Sequence, residues 1–145
     1  MTRGLLFLCV ANSARSQMAE GIARRLADRR LPIQSGGSMP SRVHTLAIRA
    51  LAEIGIDASA QRSKSVDEVD RSAVDTVITL CAEEVCPVYL GAARRLHWPL
   101  PDPAGYRESE AEELAGFRSV RDELERRIRR FLADEGVLAP GEAEA

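Results

Sequence analysis

The sequence lacks any run of 18 or more apolar residues, so no membrane span is expected. It also lacks a surplus of positive charge. Twenty Lys and Arg against 22 Asp and Glu leave a formal net charge of −2, which argues against nucleic acid as a target. Lysine is almost missing: Lys64 stands alone among arginines, a bias that composition explains as well as function does. Cysteine is scarce, three in 145 residues and an odd number. That argues against a secreted disulfide framework and for reduced thiols in the cytoplasm. The apolar start, Gly4 to Ala11, runs into Asn12 and Ser13 without a convincing cleavage site. It therefore reads as a buried strand rather than a signal peptide. No internal repeat and no linker interrupts the chain.

What is present suits one compact domain, expected over 1–133, with 134–145 as a flexible C-terminal tail. Hydrophobic residues make up 45% of the chain, enough for a core without staples. Gly4 to Val10 and Val74 to Leu80 are apolar runs of the kind covered on both faces in a parallel sheet. Pro32 to Ser38 and Arg95 to Leu100 read as two further strands. Helices are predicted over Ser13 to Arg30, Val43 to Ile54 and Glu110 to Ala133, each with an apolar stripe at three- and four-residue steps. Gly55 is the expected stop of the second, and Val66 to Arg71 a helical turn. Strand–helix alternation gives an α/β fold: a four-stranded parallel sheet with helices on both faces.

The first chemical motif is Cys9-Val10-Ala11-Asn12-Ser13-Ala14-Arg15-Ser16, placed between a strand and a helix. Backbone N–H groups in such a loop can converge on an anion, and the next helix adds its unpaired N–H groups and positive dipole end. That field favours the Cys9 thiolate, because cysteines at helix N-termini ionise more readily. Ser16 can donate to the sulfur. Arg15 offers a planar fork for two oxygens of a tetrahedral anion, and the five intervening residues let the loop curl. The bland alternative, a core cysteine beside a solvated arginine, accounts for less of the pattern.

Cys81 ends a predicted strand, as Cys9 does, and in an open parallel sheet such ends gather at the ligand crevice. Cys86 lies five residues on. In a regular helix that spacing is about 8–9 Å between Cα atoms, and a disulfide needs about 4.4–6.8 Å. A Cys81–Cys86 bond therefore requires an irregular segment, which Pro87 favours. Beside Cys9, the two read as a redox pair rather than packing residues. Asp102, between Pro101 and Pro103 after another strand end, is either a proton donor or a simple turn residue. His44, His97 and Trp98 read as structural.

The segments "FLCVANSARSQMAEG", "GSMPSRVHTLAIRALAEIGID", "TLCAEEVCP" and "HWPLPDPA" resemble thioredoxin-coupled arsenate reductases of the low-molecular-weight protein tyrosine phosphatase-like family. The resemblance spans roughly residues 3 to 132. It implies a three-layer, flavodoxin-like architecture and a monomer without a cofactor. Arsenate, or its phosphate and sulfate analogues, would bind Val10, Ala11, Asn12, Ser13, Ala14, Arg15 and Ser16. Cys9 would attack arsenic, with Asp102 protonating the departing oxygen. Cys81 would then attack Cys9, and Cys86 would attack Cys81, leaving a Cys81–Cys86 disulfide for thioredoxin to reduce. Some members bind potassium through the positions of Asn12, Glu20, Ser35 and an aspartate where this chain has Lys64. The resemblance thus implies that no metal is bound here, the lysine ammonium standing in its place.

Three other functions use parts of this set. A tyrosine phosphatase would need Cys9, Arg15, Ser16 and Asp102 but neither Cys81 nor Cys86, and such enzymes often carry tyrosines by the acid loop, where only Tyr106 is near. A reductase coupled to mycothiol or glutathione would need only Cys9. A non-catalytic oxyanion-binding or arsenic-sensing module would not need the acid loop.

Overall fold

Strand β1, Leu5–Leu8, is fully buried at all four positions, as its unbroken apolar sequence requires. It lies between β2, Ile33–Gly36, and β3, Thr76–Thr79, and β4, Arg94–His97, closes the edge beyond β3. The order is β2-β1-β3-β4, and all three pairings are parallel. The computed structural model describes residues 1–82, 86–89, 91–105 and 108–142. The middle of the Cys81–Cys86 segment, Tyr106 and the last three residues of the expected tail lie outside the described residues.

Three α-helices follow β1, β2 and β4 in the chain: α1, Arg15–Leu26; α2, Thr45–Ala52; and α3, Glu110–Asp134. The period of two along β1 sorts its side chains onto two faces. Leu5 and Phe7, with Ile78, join the larger core, where Met18, Ile22, Leu51, Phe117 and Leu124 from the helices meet. Leu6 and Leu8, with Val77, face a smaller cluster with Val74 and Tyr89. Val66 packs against that cluster from a short 3₁₀ helix, Val66–Glu68, the helical turn expected there.

The ends of elements have local causes. His44 caps α2 through Nδ1, which accepts from Leu46 N at 3.0 Å, and its ring packs on Phe117. Gly55, at φ +82°, turns the chain away after α2. Helix α1 stops at Leu26, short of the expected Arg30. Ala27 is extended there and forms an antiparallel bridge with Leu138. Ala139 N donates to Leu26 O and Asp28 N to Val137 O, both at 2.8 Å. These bonds correct the expectation of a flexible tail for 137–142: the chain docks against the end of α1, and Val137 is buried. A one-dimensional pattern of acidic and small residues does not reveal such a bridge. Strand β4 likewise ends at His97 rather than Leu100, yet Leu100 N still bonds Leu80 O at 3.2 Å.

Glu53, just past α2, ties that helix to α3. Arg118 grips its carboxylate at 2.6 and 2.8 Å, and Arg121 adds a contact at 2.9 Å. The Arg118 hydrogen bonds, opposed by desolvation and aided by Arg121, lower the Glu53 pKa from 4.5 to about 2. A carboxyl held down in the folded state adds stability above its unfolded pKa and loses it as pH falls through the folded one. The thermal midpoint of Glu53→Gln should therefore lie below that of the unaltered protein at pH 6. The gap should narrow steadily between pH 4.5 and 2 in melting curves followed by circular dichroism. A gap that stays constant over that range would contradict this role.

Candidate active site

The loop between β1 and α1 begins at Cys9, whose N–H still bonds Gly36 O across the sheet at 3.3 Å. Its carbonyls are then pinned outward in succession. Val10 O accepts from Met39 N at 2.9 Å, and Ala11 O accepts from Ser41 N at 3.2 Å and Ser63 Oγ at 2.9 Å. Asn12 O accepts from Gln17 Nε2 at 3.1 Å and Ser13 O from His44 N at 3.0 Å. A trans peptide presents its N–H opposite its carbonyl. Fixing four carbonyls outside therefore turns the N–H groups of Ala11, Asn12, Ser13 and Ala14 to the other side, as an anion-binding nest requires.

Helix α1 continues the nest. Met18 N, bonded to Ala14 O at 2.9 Å, makes the first helical bond. The N–H groups of Arg15, Ser16 and Gln17 thus have no acceptor within the helix. No side chain caps this end and no acidic residue occupies its first turn. In α3, by contrast, Ser109 caps the helix, with Glu110, Glu112 and Glu113 in the first turn. Carboxylates at the start of α1 would compete with an oxyanion for the positive dipole end.

Asn12 sets the curl. Among the described residues it is the one non-glycine with positive φ, at +47°, a region asparagine tolerates better than most residues. Its amide orientation is unambiguous, because Oδ1 accepts from the backbone N of Lys64 at 2.8 Å. Nδ2 must then be the donor to Ser16 Oγ, at 2.7 Å. With its oxygen accepting from Asn12, Ser16 keeps its own hydrogen, which can be directed at Cys9 Sγ, 2.8 Å away. The sulfur is thus placed to accept a hydrogen bond. Cys9 is a buried free thiol.

The other expected residues gather at the same strand ends. The register Leu8↔Thr79 puts Cys9 and Cys81 at the carboxyl ends of adjacent strands, one step apart, where strands run about 4.8 Å apart. Cys81 and Cys86 are joined as a disulfide, with Cα atoms 5.6 Å apart, within the range a disulfide needs. Arg15 is buried and donates from one terminal nitrogen to Leu100 O at 2.9 Å and Leu80 O at 3.4 Å. Those carbonyls precede Cys81 by one residue and Asp102 by two, so one guanidinium links the Cys9 loop to the segments that carry Cys81 and Asp102. Asp102 is half-buried, and Oδ1 accepts from Ala104 N at 3.0 Å. That bond is the turn contact its sequence suggests, and it leaves Oδ2 outside the turn.

Three supporting groups have no sequence signal. Gln17 is bonded by Gln61 Nε2 at Oε1, 2.7 Å, and itself donates to Asn12 Oδ1 at 2.9 Å. Ser63 holds the Ala11 carbonyl. Gly37 backs the loop so closely that a Cβ there would meet Val10 O at 2.3 Å and Asn12 N at 2.9 Å. Gln17 directly follows the Cys9–Ser16 motif, whereas Gln61, Ser63 and Gly37 reach it through the fold alone.

The potassium position that the family resemblance raises does not fit a metal in this chain. Buried Glu20 accepts from Ser35 Oγ at 2.5 Å and faces two cations, Lys64 Nζ at 3.4 Å and Arg24 at 3.1 Å. Lys64 also donates to Arg62 O at 3.0 Å. A further cation would share one carboxylate with two fixed positive charges.

Comparison with known proteins agrees with this geometry. The model of the family described as low molecular weight phosphotyrosine protein phosphatase matches residues 4–137. An arsenate reductase of Halalkalibacterium halodurans is 40% identical over 129 residues, covering 88% of this chain and 93% of the relative. The crystal structure of arsenate reductase from Archaeoglobus fulgidus superimposes with a TM-score of 0.75 at 30% identity, over 89% of this chain and 98% of that one. The Corynebacterium glutamicum thioredoxin-dependent arsenate reductase gives 0.67 at 29% identity, over 90% of this chain and 60% of that longer one. A cysteine at a strand end, a loop with its carbonyls pinned and a buried arginine at the start of the next helix thus coincide with similarity along nearly the whole chain, and the chain belongs to the low molecular weight phosphotyrosine protein phosphatase family.

Proposed function

We propose that this protein is a cytoplasmic, monomeric arsenate reductase regenerated by thioredoxin. The observation that carries this reading is the pairing of a free Cys9 in the anion loop with a closed Cys81–Cys86 disulfide at the neighbouring strand end. A phosphatase needs the first and has no use for the second. The reading is also supported by relatives named arsenate reductase and by a thioredoxin-dependent one among them.

Arsenate sits in the 10–16 loop against backbone N–H groups and Arg15. The Cys9 thiolate attacks arsenic, and the displaced oxygen takes a proton from Asp102 and leaves as water. The Cys81 thiolate attacks the Cys9 sulfur. A sulfur–sulfur bond forms, the sulfur–arsenic bond breaks, and its electron pair stays on arsenic, which leaves as arsenite. Cys86 then attacks Cys81 and releases the Cys9 thiolate. The electron pair gained by arsenic is thus balanced by one disulfide, Cys81–Cys86, whose reduction requires a dithiol such as thioredoxin's. The bond from Ser16 to Cys9 stabilises the sulfur both as nucleophile and as the group released in this last step.

A phosphatase reading keeps a place as a side activity, because phosphate and arsenate are near-isosteric and the loop, Arg15 and Asp102 serve both.

Replacing cysteines separates these activities. Cys9→Ser should lower both arsenate reduction and aryl phosphate hydrolysis by about 10⁴-fold or more. Cys81→Ser and Cys86→Ser should each abolish thioredoxin-driven turnover yet leave aryl phosphate hydrolysis within about twofold, as measured by coupled NADPH oxidation and by product absorbance. Sustained reduction in either variant would end the relay. Asp102→Asn should slow the first step by about 10²–10⁴-fold, the range for a lost general acid.

The Glu20–Lys64 contact carries a further expectation. Turnover in potassium buffer should equal that in sodium buffer at the same ionic strength, and marked stimulation by potassium would show that Lys64 does not fill that position.

A further inference from the structure

The α-helical core covers one face of the sheet, and the smaller cluster leaves part of the other face open. A cavity of about 490 Å³ lies there, lined by Val77, Pro87, Val88, Tyr89, Arg95 and His97 among others. Its floor is the sheet and its wall is the segment that follows Cys86 directly. Val88, 70% exposed, is one of three large exposed hydrophobics among the described residues. Tyr89 beside it is buried, and two guanidinium groups flank its ring: Arg95 at 5.7 Å and Arg71 at 6.0 Å from the centroid. Neither arginine forms an ion pair with a carboxylate among the described residues; Arg95 donates to Gly91 O at 2.8 Å. The surface is therefore apolar at its centre and cationic at its edges, and it adjoins the disulfide without a break in the chain.

We propose that this groove is the docking surface for the protein dithiol that reduces the Cys81–Cys86 disulfide. The proposal rests on the relay reading, which requires a macromolecular reductant to bring a thiolate to this disulfide. Cys81 is buried and Cys86 half-buried, so the approach lies on the Cys86–Pro87 side, where the groove begins. The occupant that fits is a thioredoxin-type protein with an apolar surface beside its reactive cysteine and carboxylates around it. Val88 would enter that apolar surface, and Arg71 and Arg95 would meet the carboxylates. Charges at a rim act mainly on encounter, so the association should weaken with salt.

The test uses oxidised protein as the substrate of thioredoxin, with thioredoxin reductase and NADPH and no arsenate. This readout is independent of whether arsenate is the physiological oxyanion. Arg71→Glu/Arg95→Glu and Val88→Asp should each raise the KM for oxidised protein about tenfold, and the double variant should lose most of the salt dependence. Reduction of the same disulfide by dithiothreitol should stay within twofold of the unaltered protein, which also reports that each variant is folded. Unchanged KM values in both variants, with dithiothreitol reduction intact, would overturn the proposal. So would a failure of thioredoxin to reduce the unaltered protein. A concentration-dependent dimer in sedimentation that Val88→Asp abolishes would overturn it as well, by assigning the groove to a second copy of this chain. Arsenite formation by reduced protein in a single turnover tests the relay separately: its absence would remove the arsenate reading and leave the thioredoxin KM comparison standing.

Discussion

The site depends on one side chain, Asn12, holding a backbone turn that the chain would not otherwise favour. Its left-handed conformation curls the loop, and its amide joins the parts that must agree in position. The backbone N of Lys64 fixes Oδ1, so Nδ2 faces Ser16, and Ser16 can turn its hydrogen to the Cys9 sulfur. The contacts run in series from Lys64 N through Asn12 and Ser16 to the Cys9 sulfur. Buried networks of this kind are worth more intact than in pieces, because a half-satisfied polar group in the interior is costly. In this protein no buried side-chain nitrogen or oxygen among the described residues lacks a partner.

Around that network the parallel sheet does the gathering. Strands that run the same way end on the same side, so residues far apart in sequence arrive together: Cys9 after β1, Cys81 after β3 and Asp102 beyond β4. Arg15 ties the three, since the carbonyls it holds belong to Leu80 and Leu100. The same geometry leaves the opposite face of the sheet lightly covered, and Pro87, Val88 and Tyr89 come to lie there. The register of β1 and β3 sets Cys9 beside Cys81, and the lightly covered face of the same sheet carries the candidate docking groove.

Much of this was legible in the chain before folding. The unbroken apolar run of β1 announced a strand covered on both faces, and the order of strands and helices announced a parallel sheet. The loop from Cys9 to Ser16 could be read because its chemistry lies within eight consecutive residues. What could not be read depends on long-range contacts. Nothing near Gln17 in sequence points to Gln61, and nothing in Ser63 points to the Ala11 carbonyl. Helix α1 has good helix formers past Leu26, yet it ends where Ala27 bridges Leu138 and Asp28 accepts from Arg30 N. Gly37 falls in a segment expected as a strand; the close approach of the loop leaves no room for a Cβ there.

The most direct test of the central claim is a single turnover without external reductant. Fully reduced protein is mixed with excess arsenate and quenched by acid with alkylation, and arsenite and disulfides are measured together by mass spectrometry. The account expects one equivalent of arsenite per chain, a Cys81–Cys86 disulfide, and Cys9 recovered as an alkylated thiol. Arsenite formed with Cys81 and Cys86 still reduced, or no arsenite from protein with all three thiols intact, would contradict it.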